Sequence, residues 1–415
     1  MIKHDYGHMD CPFYEEKLSD GLTVIFVPKK NALKSAVVYI GQGGFLHAKE
    51  IASSKIPFGS AYYLMNMIAS TSFKEEMKKD GCLLSSDVDY SFVRYSLNTL
   101  GDIYAPLMKL MNRVVKPCFE EKDIEEFKKQ DQKKCEKMNF DPICVSQKTC
   151  LENLYLASPI RYGYIPSIED GVRIHASALK KYQETYYSPD HIVLFISGDD
   201  SPEHVLEQVK KIHFGAPSNY KESKDEYEED YTNVKREYKE VVMDVPHSYL
   251  TYGIKLPSRQ IIYDNYGDLT FCAYELLLSS IIYGNHEFMN QLSNLKANIV
   301  DAVLKEGGED GYILLTFQTE DEVSLINFLT SYFARLGEKV SSGRFNMLVK
   351  ETFAKAVRDV ALPNKALDLI SRSYANHIPY MDLMKRVYHL SFSSYRRFLE
   401  EFKAFKKAVC FVKRK

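Results

Sequence analysis

Residues 216–237, "PSNYKESKDEYEEDYTNVKREY", are polar, acidic and nearly free of aliphatic side chains. A stretch of this kind cannot bury enough apolar surface to order a core of its own. It divides the 415-residue chain near its middle, and the pattern of apolar runs on one side recurs on the other. Before it, the turn Ser19-Asp20-Gly21 leads into "GLTVIFVPKK", a strand-like alternation, and "SAVVYIGQGGF" follows as a second strand. A helix is expected over 57–70, with Pro57 in its first turn. The alternation of "SDVDYSFVRYSL" (86–97) reads as one strand, and 101–115 and 119–138 read as helices. Residues 146–187 are mostly helical in pattern, "HIVLFISG" (191–198) is a short apolar strand, and Ser201-Pro202 opens another helix. The predicted order is β-β-α-β-α-α-α-β-α.

After the polar stretch come a strand, "SYLTYGIKL" (248–256), and a long apolar helix, "DLTFCAYELLLSSIIYG" (268–284). A strand "GYILLTFQT" (311–319), a helix over 321–338 and a terminal strand, "KAVCFVKRK" (407–415), complete the pattern. Two segments with one element order predict a duplicated α+β domain. The expected division is 1–215, an acidic linker at 216–237, and 238–415.

The bulk properties remove several function classes. The net charge of −2 offers no electrostatic argument for nucleic acid or a membrane surface. Apolar residues make up 45% and charged residues 27%, as in ordinary globular chains. No stretch approaches the roughly 18 consecutive apolar residues of a membrane span, and "MIKHDYGHMDCPFYEEKLSDG" lacks the apolar centre of a secretory signal. The eight cysteines have no framework spacing, so reduced thiols and a cytoplasmic location are expected.

The motifs that remain carry the resemblance. "LSDGLTVIFVPKK" (18–30), "AVVYIGQGGF" (36–45) and "SPDHIVLFISGDDSPEHVLEQVKKIHFG" (188–215), with "YLTYGIKLP" and "AYELLLSSIIYG" beyond them, resemble in order and spacing the M16 metallopeptidases. This is the family of insulin-degrading enzyme, pitrilysin and mitochondrial processing peptidase, and the likeness is greatest to its bacterial members with two such halves. The resemblance implies two M16-type domains, each a mainly antiparallel sheet covered by helices, together forming half of a peptide-binding chamber.

It also locates the chemistry. The family's metal helix carries His-x-x-Glu-His, whose two imidazoles bind zinc while the Glu activates water. "GSAYYLMNM" (59–67) fits that frame without gaps, with Tyr62 at the first His, Met65 at the Glu and Asn66 at the second His. The third ligand of the family is a Glu roughly 70 residues downstream. The ungapped match over "EEFKKQDQKKCEKMNFDP" places Lys134 there and Phe127 at a supporting Glu. A neutral phenol and an amide are poor zinc donors, an ammonium repels the ion, and a thioether cannot take a proton from water. The expectation is therefore no cofactor, with the zinc site lost. A substrate-gripping Arg–Tyr pair in the second half of the family matches "LSNLKANIV" (292–300), with Ser293 and Ile299 at the two positions.

Other candidates have simpler readings. His4, His8 and Cys11 fit a chain start better than a metal cluster. Cys135 beside Lys134 lacks a base partner and reads as structural. Gly41-Gln42-Gly43-Gly44 lacks dinucleotide spacing and reads as a strand end. The function expected is that of a non-catalytic partner subunit of an active zinc M16 peptidase that helps to bind peptide or precursor substrates. A homodimer is the other assembly allowed. A stand-alone peptide-binding protein and a peptidase with a relocated or metal-independent site are the alternatives.

Overall fold

The computed structural model describes all residues except 6–10, 31–32, 49, 52–53, 164–165, 219–226, 259, 261–263, 266, 268, 283–285 and 375–377. Its strands form two main sheets. The strands of the first are β1 (Ile2–His4), β2 (Phe13–Lys17), β3 (Thr23–Pro28), β4 (Lys34–Gly41), β7 (Cys82–Val88), β8 (Phe92–Thr99) and β9 (Ile192–Gly198). They lie in the order β1-β2-β3-β9-β4-β8-β7. A two-residue pair, β5 (Glu50–Ile51) and β6 (Ser54–Lys55), stands apart. The second sheet contains β10 (Tyr238–Met243), β11 (Tyr249–Leu256), β12 (Asn298–Gly307), β13 (Asp310–Gln318) and β14 (Lys407–Arg414), in the order β10-β14-β11-β13-β12.

The duplication expected from the pattern is present in the register. In the second sheet the first strand runs parallel to the last, β10 on β14, and every other pairing is antiparallel. The first sheet repeats this with β3 parallel to β9 and the order β3-β9-β4-β8-β7. Counted within each unit, both sheets run first, fifth, second, fourth, third. β1 and β2 extend only the first.

The chain forms two compact units: 1–132 with 164–223 and 355–382, and 133–163 with 224–354 and 383–415. Two helices in corresponding positions change sides relative to the linear order. α5 (Pro142–Leu154) packs on β11 and β14, although it precedes the polar linker. The helix Pro363–Tyr374, far beyond the linker, packs on β4 and β9. Close approach is built into the strands. A Cβ at Gly253 of β11 would lie 2.6 Å from the Cys150 sulfur of α5, a distance no real side chain tolerates. On the first sheet, the Tyr374 ring meets Tyr39 and Phe195 edge-on at 5.9 and 5.8 Å.

Two local expectations change. Strand 86–97 is instead a hairpin of β7 and β8, because Asp89–Ser91 turn the chain; the Asp89 carboxylate accepts from the Tyr90 amide at 2.7 Å. The helix expected over 57–70 is α1 (Ser60–Ile68), followed by a second helix, α2 (Thr71–Lys79). Pro57 stays outside α1: its carbonyl accepts from the Ser60 hydroxyl at 2.7 Å. Ser70 caps α2 by accepting from the Phe73 amide. No helix among the described residues is long and apolar enough to cross a membrane. All eight cysteines are free thiols.

Candidate functional site

α1 is a core helix. Gly59 precedes it in the left-handed region at φ 91°, and a Cβ there would sit 2.5 Å from the Pro166 Cβ. Only glycine meets both conditions. Ala61, Tyr62, Tyr63, Leu64, Met65, Met67 and Ile68 are all buried. The open carbonyls at its far end are satisfied by Arg113 of α3 (Tyr104–Val115), which donates to Ile68 O at 2.8 Å and Met67 O at 2.9 Å. The same guanidinium lies 4.6 Å from the Phe73 ring centroid.

The three residues at the motif positions are engaged with protein. Tyr62, 7% exposed, donates its hydroxyl to the Asp131 carboxylate at 2.8 Å, and Asp131 is itself buried. Asp131 lies on α4 (Glu121–Phe140), one turn beyond Phe127. The Phe127 ring packs against Tyr62 and Tyr63 with centroids at 6.0 and 5.1 Å. Asn66 turns back along its own helix and donates its side-chain amide to Tyr62 O at 2.8 Å, the local bond that short polar side chains form in helices. Met65 is buried in the same apolar layer.

Lys134, the residue matched to the third ligand, is exposed one turn beyond Asp131. The acid that faces Tyr62 is thus Asp131, which the sequence reading missed. Its separation of 69 residues from Tyr62 was the signal available. A buried phenol that donates to a carboxylate, a thioether and an amide bonded to its own backbone do not fit a zinc ion. Among the described residues no group of three or more His, Cys, Asp or Glu side chains could hold a metal.

The second-half stretch separates onto two elements. Ser293 is exposed on the helix His286–Asn294, whereas Ile299 is half-buried on β12. Lys296 turns the chain between them at φ 51°. β12 bulges at this point: Ile299 pairs with Phe317 and Asp301 with Thr316, which leaves Val300 as the extra residue. Gln147 of α5 holds Asp301 at 2.6 Å and Thr316 at 3.1 Å.

The simpler sequence candidates are also located. His4 stacks on Phe13 at 4.5 Å and lies 3.2 Å from Glu15, while His8 falls outside the described residues. Cys135 is buried on α4. At the Gly41–Gly44 strand end, a Cβ on Gly44 would meet the Tyr90 carbonyl at 2.4 Å.

Residues 173–351 match the family described as the Peptidase M16 inactive domain. The uncharacterized zinc protease YmfH of Bacillus subtilis is 26% identical over 265 residues, covering 61% of this chain and 62% of that protein. The match therefore spans less than two thirds of that relative. An M16-like peptidase from Alicyclobacillus acidocaldarius superposes with a TM-score of 0.83 at 16% identity, covering 98% of this chain and 99% of its own. A Helicobacter pylori protease gives 0.80 at 16% identity over 97% and 99% of the two chains. The peptidase M16 inactive domain from Pseudomonas fluorescens gives 0.75 at 15%, over 97% and 98%. Residues 173–351 thus match the M16 inactive-domain family, and the duplicated sheets of the whole chain have the fold of the M16-like peptidases.

Proposed function

We propose that this chain is a non-catalytic M16 homologue that serves as partner subunit to an active zinc M16 peptidase, helping it to bind extended peptide or precursor substrates. The observation that carries the reading is the hydrogen bonding of α1. Tyr62 commits its hydroxyl to Asp131, and Asn66 commits its amide to the helix backbone. The positions where the family places zinc ligands therefore have other work, and Met65 between them has no basic atom for water.

What the α1 framework retains is the strand beside it. β7 packs against α1 and α2 and is the outermost strand of its sheet. An outer strand offers backbone donors and acceptors on its open side, and an extended peptide can add there as a further strand. Leu83 on β7 is 61% exposed and adds an apolar contact. Eight free thiols fit a reducing compartment, and the cytoplasm is the proposed location.

The test is co-purification from the source cell followed by light scattering. A one-to-one complex with an M16 chain that carries intact His-x-x-Glu-His supports the reading. Peptide hydrolysis by the isolated chain, abolished by a chelator, would sink it.

A further inference from the structure

The polar segment read as a linker places a buried acid in the second compact unit. Lys255 on β11 and Glu229 of that segment are both buried, each side chain 1% exposed, and they form an ion pair. The site receives the Glu229 carboxylate from two directions. One oxygen accepts from the Leu156 amide at 3.1 Å and from the Lys255 ammonium. The other accepts from the Ala157 and Ser158 amides, both at 2.8 Å. Three successive backbone N–H groups aimed at one carboxylate form an anion-binding concavity.

The cation belongs to the same arrangement. Beyond Glu229, its remaining hydrogen bonds go to Asp230 O at 2.7 Å and Asn233 O at 3.0 Å, so three protons reach the polar segment. The Tyr155 and Tyr231 rings flank it, with centroids 5.0 and 5.6 Å from the nitrogen. The segment is shaped for this. Asp230 closes a turn by accepting from the Thr232 backbone amide at 2.8 Å, the Thr232 hydroxyl at 2.6 Å and the Asn233 side-chain Nδ2 at 2.7 Å. A second buried acid fixes its flanks: Asp310 accepts from the Tyr227 hydroxyl at 2.9 Å, the Tyr231 hydroxyl at 2.5 Å and the Ser158 hydroxyl.

We infer that Lys255, the amides of residues 156–158 and the Tyr155 ring form a receptor for an acidic peptide segment, and that its resident occupant is 227–233 of the same chain. Recognition centres on a Glu carboxylate followed by a turn whose carbonyls reach the ammonium. A buried ammonium without these acceptors would be strongly destabilised. The receptor therefore stays filled, and the polar segment works as a clasp on the second unit and not as a free tether across its whole length. This inference is independent of the partner role proposed above.

Two measurements on the full-length chain test it. In the first, chymotrypsin cleavage after Tyr227 and Tyr231 is followed by mass spectrometry in the wild type and in Glu229→Gln. The amide loses the charge-assisted bonds, so cleavage should accelerate roughly tenfold or more. In the second, residues 227–233 are replaced by Gly and Ser, and a fluorescein-labelled peptide of sequence YEEDYTNVK is titrated against that variant. Saturable binding is expected, with loss of roughly tenfold or more in affinity when the second Glu of the peptide is Gln. Equal cleavage rates for Glu229→Gln and wild type would overturn the inference. So would equal affinity for the two peptides. If the replacement variant does not fold, the cleavage rates decide alone.

Discussion

Removing one oxygen from Tyr62 is the sharpest local test of the site. The Tyr62→Phe substitution keeps the ring, its packing on Phe127 and Tyr63, and the volume of the core. It deletes only the donor that Asp131 accepts at 2.8 Å. Asp131 is 5% exposed, so little water reaches the carboxylate in its place. A hydrogen bond to a charged group is worth about 1.5–3 kcal/mol. A loss of about 2–3 kcal/mol is expected, measured by urea unfolding at pH 7 with circular dichroism and extrapolated to water. The same substitution made on an Asp131→Leu background should cost less than about 0.5 kcal/mol, because its partner is gone. A Tyr62→Phe loss under about 0.5 kcal/mol, or equal losses on both backgrounds, would refute the reasoning.

Gly59→Ala places a side chain in the left-handed region against Pro166 and should cost more than about 2 kcal/mol by the same unfolding assay. Arg94, 2% exposed, holds Asp87 through two bonds at 3.0 Å, Asp368 at 2.9 Å and Ser371 at 2.8 Å. Arg94→Met should cost about 2–3 kcal/mol, less than a fully buried pair because both carboxylates keep access to water. Its footprint in hydrogen exchange should centre on β7 and the helix Pro363–Tyr374.

The clasp should also show in acid. Burial pushes the Glu229 carboxyl up, but the Lys255 ammonium and the three amides outweigh it and hold it below the ordinary range. Its stabilisation is then present above the unfolded value of about 4.3 and lost as pH falls through the lower folded value. Asp310 shifts the other way, raised chiefly by burial and also by the nearby Glu229 charge. Its contribution favours the fold in acid and is lost as pH rises through its folded value. Glu229→Gln should therefore lower stability at pH 7 and flatten the decline below about pH 4. An unchanged acid limb in thermal melts would contradict this.

The elements that the sequence reveals are those with continuous apolar runs. β3, β4, β9, β11, β13 and β14 are buried along most of their length, and their runs of Val, Ile, Leu and Phe are visible without any structure. β7 and β12 escape notice because they are outer strands, with polar residues such as Ser85 or Asn298 in the pattern. They are the third strand of each repeat, so the duplication could be read while its full order could not. The exchange of α5 and the helix Pro363–Tyr374 between sheets is a long-range packing choice with no local signal.

The site was legible in part for the same reason. The "GSAYYLMNM" frame is local, and Gly59 and the buried run confirm its shape as a core helix. Asp131 could be found only by pairing two helices, since nothing in "KKQDQKKC" marks which polar residue turns inward. The clasp was hidden by composition. A Lys in an apolar strand and a Glu in a polar stretch become a buried pair only when the fold brings residues 255 and 229 together.

We propose that α1 keeps the form of a metal helix while its side chains serve packing. The most direct measurement is the zinc content of the purified chain after dialysis against excess zinc, by mass spectrometry of the metal, with peptide hydrolysis followed on the same sample. Zinc far below one equivalent, and no hydrolysis that a chelator removes, is the predicted result. One tightly held equivalent of zinc together with chelator-sensitive cleavage would contradict it.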